Sequence, residues 1–205
     1  MRRLLTTLLL LGLIQIVSGQ GSNSQDSTIY KVIIRHVMEG RRKSDPAVVI
    51  FKKTERDNEF GIYEKDLSRL GRQAVWYNNI FLRNARYDSV IFEHLLAFEN
   101  AKDANLEIAP FSMATKVSWL SRGKYDRLSR RRSDPDAFWR FFGKHYKGAS
   151  RVFAFSSVYY SPDSTFAVLT YSTRCAGLSG GGQIVVLKNI RDSWEIILEE
   201  GLWAS

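Results

Sequence analysis

The C-terminal quarter of the chain, from Arg151 onward, consists of short segments rich in β-branched and aromatic residues that are separated by turns. Such residues favour strands, and connections this short force neighbouring strands to run antiparallel. The segments are 151–160, 166–172, 183–188 and 194–198. The sequence therefore predicts an antiparallel C-terminal β-meander of about four strands, which needs helices packed on it to bury its apolar face.

The rest of the chain is predicted to supply those helices and further strands. The predicted elements are a helix from Ser27 or Thr28 to about Glu39 (or a strand, because it is rich in β-branched residues), a buried strand at 47–51, two helices within 66–100, and one or two short strands within 106–120. No internal repeat or low-complexity linker divides these segments. We therefore predict a single α+β domain over residues 28–205.

The segment after Asp134 has the features of a well-defined helix. Proline stands early, and acidic residues occupy the first turn, where the helix end is partly positive. The side chains that share one face, at i, i+3, i+4 and i+7, are Phe138, Phe141, Phe142 and His145. We expect Phe138 and Phe142 to be buried against the meander.

The first nineteen residues have the composition of an export signal. Arg2 and Arg3 form a basic start, residues 4–17 form an apolar stretch, and 17–19 (Val-Ser-Gly) supply the small residues of a cleavage site. A membrane span needs about 20 apolar residues, so this stretch is too short to be one. An uncleaved amphipathic or anchoring N-terminus is the alternative interpretation.

Cleavage after Gly19 would produce a mature chain that starts at Gln20. Residues 20–27 are small and polar, so we expect a mobile leader ahead of the domain. No second apolar run of spanning length follows. The sequence thus predicts an exported soluble protein that is periplasmic or secreted.

The chain is strongly basic, with a formal net charge of +9 that falls by two if Arg2 and Arg3 are removed with the signal. A positive envelope favours encounter with anionic partners. For an exported protein, an anionic component of the cell envelope or the extracellular space is a more natural partner than nucleic acid.

The positive charge is densest in residues 122–132, which contain a single acid, Asp126. We interpret this segment as a candidate anion-binding patch, with Trp119 and Tyr125 as candidate stacking surfaces. The alternative is a solvated, partly mobile loop that keeps the protein soluble. The patch consists of Arg122, Lys124, Arg127, Arg130, Arg131 and Arg132.

Cysteine chemistry is limited because the chain has one cysteine, Cys175. A disulfide within the chain, a C-x-x-C redox site and a cysteine-based zinc site are therefore excluded. A cysteine hydrolase would pair Cys175 with a histidine, and His145 is the best candidate. No helix N-terminus that would lower the thiol pKa is predicted beside Cys175, so a buried and inert thiol is the preferred interpretation.

The remaining catalytic patterns are incomplete. His36, His94 and His145 fit no zinc-ligand spacing, so we expect them to pack at the edge of the core. The glycine run at 177–182 is followed by a predicted strand instead of the lysine and helix of a phosphate loop, and a G-x-S-x-G motif is absent. We interpret this run as a hairpin connection or a bulge.

Paired carboxylates of a glycosidase would have to face each other across a cleft. The acidic pairs Asp134/Asp136 and Glu199–Glu200 are explained by a helix start and a strand end. We therefore predict no catalytic residues, no metal site and no cofactor.

Several motifs of the C-terminal third occur together. They are DAFWRFFGKHY at 136–146, Ser156-Ser157-Val158, the pair around Asp163 and Ala167, RCAGLSGGGQIVVLK at 174–188, Trp194, and the terminal Trp203-Ala204-Ser205. In this combination residues 136–205 resemble a group of exported bacterial proteins of uncharacterised function. The resemblance implies a small signal-bearing domain and carries no activity with it. It also implies a second cysteine where this chain has Ser179, so a disulfide across that loop is not carried over.

Two classes of function remain. The favoured hypothesis is a non-catalytic exported domain that binds a partner in the envelope or outside the cell, because each named catalytic pattern fails. The alternative is a small hydrolase-like enzyme whose site is assembled from scattered residues in a pocket between helices and sheet. A pocket lined by several convergent polar groups would favour the second hypothesis.

Overall fold

The computed structural model describes residues 23–39, 47–55, 89–101, 105–130, 134–176 and 180–204. The helices in these ranges are α1 (Asn23–Glu39), α2 (Ser89–Asn100), α3 (Arg122–Arg130) and α4 (Pro135–His145). The strands are β1 (Ala47–Phe51), β2 (Lys116–Leu120), β3 (Arg151–Phe155), β4 (Tyr159–Tyr160), β5 (Phe166–Cys175), β6 (Gly180–Ile190) and β7 (Ser193–Ala204). In the ranges just given, no helix combines the length and the apolar character that a membrane crossing requires.

The strands form one mixed sheet in the order β2-β1-β3-β5-β6-β7, with β4 paired to β5. The pairs β3–β5, β5–β6 and β6–β7 are antiparallel, as the meander prediction requires. The pairs β1–β2 and β1–β3 are parallel. The predicted α+β class is therefore confirmed, whereas the purely antiparallel sheet of four strands is wrong. Long connections around β1 permit the parallel pairing, and its fully buried AVVIF run is typical of a strand covered on both faces.

Helix α1 covers one face of the sheet. Its side chains Ile29, Ile33 and Ile34 are fully buried, and they pack with Phe153 and other residues of β3, β5 and β6. The ring of Tyr30 lies 4.6 Å from that of Phe155, centre to centre. This cluster includes residues from both halves of the sheet, so α1 connects the parallel strands to the meander.

The opposite face is covered by two groups of helices. Helices α3 and α4 pack on β1, β2 and β3, and α2 packs on β5, β6 and β7. Phe138 and Phe142 of α4 are buried, as predicted, but their neighbours include Phe51 and Leu120 of the parallel strands as well as β3. The prediction that these residues pack on the meander is therefore correct only for β3.

The other two members of the predicted α4 face are not in the core. Phe141 is partly buried and His145 is exposed, with their rings stacked 5.7 Å apart. Two positions of the stripe, one turn apart, are enough to fill the space above β1 and β3.

Several element boundaries differ from the predictions. Helix α1 begins at Asn23, so the predicted leader and the predicted start at Ser27 or Thr28 are wrong for residues 23–27. A tertiary contact explains the early start, because Asp26 in the first turn accepts a 2.8 Å hydrogen bond from the Tyr160 hydroxyl. The predicted strand 151–160 is divided into β3 and β4, since the Ser156 hydroxyl accepts from the backbone N–H of Thr170.

Strands β5, β6 and β7 are longer than the predicted segments, and they form two consecutive antiparallel hairpins of the meander. The pairing of β6 with β7 shifts register between Gly182 and Gln183, and again between Val186 and Leu187. Among the described strands, β7 is an edge of the sheet.

Of the helices predicted within 66–100, the second is confirmed as α2, and the first, around residues 75–81, lies outside the described residues.

Candidate anion-binding surface

Residues 122–130 of the basic segment form helix α3, so the alternative prediction of a solvated loop is wrong for these residues. Tyr125 of α3 is buried, and its ring makes edge contacts with Phe51 at 5.4 Å and Phe138 at 5.5 Å. Leu128, one turn later, packs against the same cluster. These two anchors fix the orientation of α3, so the basic residues of the helix lie at the surface.

Arg122 is held by two carboxylates. Its Nη1 atom lies 2.8 Å from Oε1 of Glu55, and its Nε atom lies 3.2 Å from Oδ1 of Asp126. The guanidinium also lies 5.4 Å from the centre of the Phe51 ring. The charge of Arg122 is thus compensated within the protein, and this residue positions α3 more than it attracts a partner.

Arg127 and Arg130 line an open groove of about 390 Å³ together with Gly123 and Asp126. Within the part of the chain that the structure describes, neither arginine forms an ion pair. Asp126 is engaged by Arg122, so the two arginines dominate the charge of the groove. A Cβ atom added at Gly123 would meet no heavy atom within 4 Å, which shows that the groove is open above this position.

Lys124 extends the positive charge from α3 to the end of α4. Its Nζ atom lies 5.7 Å from the centre of the Tyr146 ring. Lys147, the residue after Tyr146, faces Lys116 at the start of β2, and the interaction with this neighbouring ammonium group lowers the pKa of Lys116. We call this set the basic surface: Lys116, Lys124, Arg127, Arg130 and Lys147.

Lys116 and Lys147 were not predicted as members of this surface, because they lie outside the basic segment 122–132 and only the fold brings them together. The predicted role of Trp119 and Tyr125 as stacking surfaces is wrong. Tyr125 is a core residue. Trp119 makes an edge contact with Phe111 at 5.2 Å and packs with the cluster under α1, on the other face of the sheet. The remaining members of the predicted patch, Arg131 and Arg132, lie outside the described residues.

The three histidines occupy separate places. His36 of α1 lies 2.9 Å from Glu199 of β7, and the Tyr171 hydroxyl donates a 2.5 Å hydrogen bond to the same carboxylate. His94 of α2 packs 4.8 Å from the ring of Phe166, and His145 lies beside aromatic residues of α4. In the described ranges, no three His, Cys, Asp or Glu side chains are close enough to hold a metal ion.

Cys175 is the last residue of β5 and is partly buried, so the predicted full burial of the thiol is not observed. It lies in register with Arg151 and on the same face of β5 as Tyr171, which belongs to the cluster under α1. His145 is on α4, which packs on the opposite face. This arrangement does not bring the two residues of the hydrolase hypothesis to the same side of the sheet.

The glycine run and the acidic pairs have structural roles. Gly180, Gly181 and Gly182 belong to β6 and pair with β5 on one side, and the last two also pair with β7 on the other. This excludes a phosphate loop at these residues. Asp134 caps α4 by accepting a 2.9 Å hydrogen bond from the backbone N–H of Asp136.

A small crevice lies where α1 meets the sheet. Asp26, Tyr30 and Thr54 line it together with residues 106–109, and its volume is about 10 Å³. Burial raises the pKa of Asp26, and burial together with the nearby Asp26 carboxylate raises the pKa of Tyr160. A space of this size holds about one water molecule, so the crevice does not admit an organic substrate.

No protein-family model, no curated protein and no solved structure matches this chain. The resemblance of residues 136–205 to a group of exported bacterial proteins therefore stays a prediction.

Proposed function

We propose that this protein is an exported, non-catalytic binding domain that uses the basic surface to contact phosphate-bearing anionic components of the cell envelope. The observation that carries the proposal is the groove on α3, where two arginines have no carboxylate partner among the described residues. The guanidinium groups provide planar, paired donors that match phosphate oxygens.

The arrangement around the groove supports binding at a surface. Arg127 and Arg130 are exposed, and Lys124 and Lys147 continue the positive charge towards the sheet edge. A broad, open array of cations fits a polymer or a membrane surface better than a single small molecule. The 10 Å³ crevice beside Asp26 gives no support to the alternative of a hydrolase-like enzyme.

Binding to vesicles tests the proposal. We expect the mature protein to sediment with vesicles that contain phosphatidylglycerol, to ignore pure phosphatidylcholine vesicles, and to dissociate as salt is raised. A basic residue near an anionic surface contributes about 1 kcal/mol. Arg127→Glu and Arg130→Glu should therefore each weaken binding about fivefold or more. Heparin provides a second, sulfate-bearing probe.

Arg35→Glu is the matched control. Arg35 is an exposed residue of α1, which covers the other face of the sheet, and the substitution changes the net charge by the same amount. We expect this variant to bind like the parent. An equal loss in all three variants would mean that only the net charge matters, and the localised surface would be abandoned.

Export requires a separate measurement. The first described helix begins at Asn23, shortly after the predicted cleavage site, so removal of residues 1–19 leaves α1 intact. We expect the protein recovered from an expressing bacterium to start at Gln20 and to be outside the cytoplasm. An N-terminus at Met1, determined by mass spectrometry, would contradict the export proposal.

A further inference from the structure

One face of β5 presents a row of polar side chains where the rest of the face is apolar. Thr170, Ser172 and Arg174 alternate along the strand, so they point to the same side. This is the side covered by α2, α3 and α4, because Ser172 is in register with Ala154 and Arg174 with Val152 of the cluster under α3 and α4. The row thus lies between the two apolar clusters of this face.

The row continues across the sheet to β7. Ser172 is in register with Gly182 of β6, and Gly182 is in register with Trp203 of β7. A Cβ atom at Gly182 would lie 2.2 Å from Nε1 of Trp203. The indole N–H group therefore lies directly above β6, on the strand between Trp203 and Ser172. The missing side chain of Gly182 makes room for it.

Three polar atoms of this row are buried and have no hydrogen-bond partner among the described residues. They are Oγ1 of Thr170, Oγ of Ser172 and Nε1 of Trp203. Thr170 is only 4% exposed and Ser172 only 2%. Native proteins leave few buried polar groups unpaired, and each one costs free energy unless something binds to it. Two of these atoms lie on β5, and the third reaches over β6 from β7 towards Ser172, so the three point to a common ligand.

The chemistry of the row indicates an anion. The indole group of tryptophan is only a donor, and each hydroxyl can donate one hydrogen bond. Arg174, whose guanidinium lies 6.0 Å from the centre of the Tyr125 ring, brings a positive charge to the same strand face. Among the described residues, Glu200 of β7 is in register with Ile184 of β6, and Ile184 with Thr170, so this carboxylate lies two strands away from Thr170. We propose that Thr170, Ser172 and Trp203 form a buried binding site for a small oxyanion, a carboxylate or a phosphate, with Arg174 supplying the positive charge.

The indole N–H resonance of Trp203 reports directly on this site. In the ¹⁵N-labelled full mature protein, it is assigned by its loss in Trp203→Phe. Inorganic phosphate and acetate are then titrated separately at constant ionic strength, which distinguishes the two kinds of oxyanion. We expect at least one of them to shift this resonance with saturation, while the indole resonance of Trp119, on the other face, stays in place.

Two variants test the hydroxyl groups. Ser172→Ala and Thr170→Val remove groups that have no partner in the described part of the chain, so both are expected to fold. Each should weaken anion binding about tenfold or more, because a hydrogen bond to a charged group is lost. Thr173→Val is the matched control, since Thr173 is the next residue of β5 and points to the opposite face. This control should bind like the parent.

The outcomes separate this site from the basic surface. Arg130→Glu should reduce vesicle binding and leave the response of Trp203 unchanged. A linear, unsaturable shift of all indole resonances would mean an adventitious ion only. Equal affinity in the parent and in Thr170→Val would also overturn the proposal, even if Ser172→Ala failed to fold.

Discussion

The hydroxyl of Tyr160 donates a 2.8 Å hydrogen bond to the carboxylate of Asp26, and this bond ties the first turn of α1 to the short strand β4. Burial nevertheless raises the pKa of Asp26 above its ordinary value of 3.8. The folded protein therefore binds the Asp26 proton more tightly than the unfolded chain does. This contribution to stability is complete below pH 3.8 and is lost as the pH rises through the raised pKa.

The first prediction concerns Asp26→Asn. The amide retains an acceptor for the Tyr160 hydroxyl and removes the cost of burying a charge. We expect a higher free energy of unfolding than the parent at pH 7, and no such advantage below pH 3.8. Urea denaturation at a series of pH values measures the difference. A loss of stability at pH 7 would mean that the hydrogen bond of the charged Asp26 carboxylate to Tyr160 outweighs the cost of burying that charge.

Asp163→Asn is the control, because the pKa of Asp163 is shifted in the opposite direction to that of Asp26. Asp163 accepts hydrogen bonds from the Ser161 and Thr165 hydroxyls, and these lower its pKa. The contribution of Asp163 to stability is present above its ordinary pKa of 3.8 and is lost as the pH falls through the lowered pKa. This variant should therefore lose stability at pH 7.

The second prediction concerns the apolar cluster under α3 and α4. Phe138 is buried and contacts the rings of Tyr125, Trp139 and Phe142. Phe138→Ala should lower the free energy of unfolding by about 3–5 kcal/mol, because it leaves a cavity in the core. Phe141→Ala on the same helix should cost less than half as much, since Phe141 is partly exposed. Equal costs would mean that α4 packs through a different face.

The third prediction concerns Gly182. An alanine Cβ atom there would come within 2.9 Å of three atoms of the Trp203 ring, so the ring must move. Overpacking of this kind costs about 1–3 kcal/mol. Gly201→Ala on β7 is the control, because its Cβ atom would lie 3.6 Å from Oε1 of Gln183, an ordinary contact. Thermal denaturation compares the two. If Trp203→Ala does not rescue Gly182→Ala, the clash is not the cause.

The fourth prediction concerns Gly123 in the first turn of α3. Alanine has a higher helix propensity than glycine, and a Cβ atom at position 123 would meet no heavy atom within 4 Å. Gly123→Ala should therefore raise the free energy of unfolding by about 0.4–1 kcal/mol. Vesicle binding should be unchanged, because a methyl group does not fill the groove. Gly123→Trp, in contrast, should weaken binding without lowering stability by more than about 1 kcal/mol.

The meander and helix α4 were predictable because their signals are local. Strand-forming residues between short turns define β5, β6 and β7, and Asp134 followed by Pro135 defines the start of α4. The position of β1 was not predictable. Its pairing with β2 and β3 joins segments that are far apart in the chain, and an apolar run such as AVVIF does not specify its neighbours.

The site was predictable only in part. The charges of Arg127 and Arg130 are visible in the sequence, but the compensation of Arg122 by Glu55 depends on a tertiary contact. The polar row on β5 was not predictable from polarity alone, because Thr173, on the opposite face, is also polar and the segment 170–174 shows no strict alternation of polar and apolar residues. The row becomes visible only when the strand pairing places Thr170, Ser172 and Arg174 on one face.

The two register shifts between β6 and β7 have a consequence for how the protein behaves at high concentration. A long, regular outer strand is a template on which other chains can stack into fibrils. Each shift twists β7 and interrupts its row of outward-facing backbone groups. A strand arriving from another molecule would therefore lose its pairing partway along, and this edge should resist self-association even where the protein accumulates.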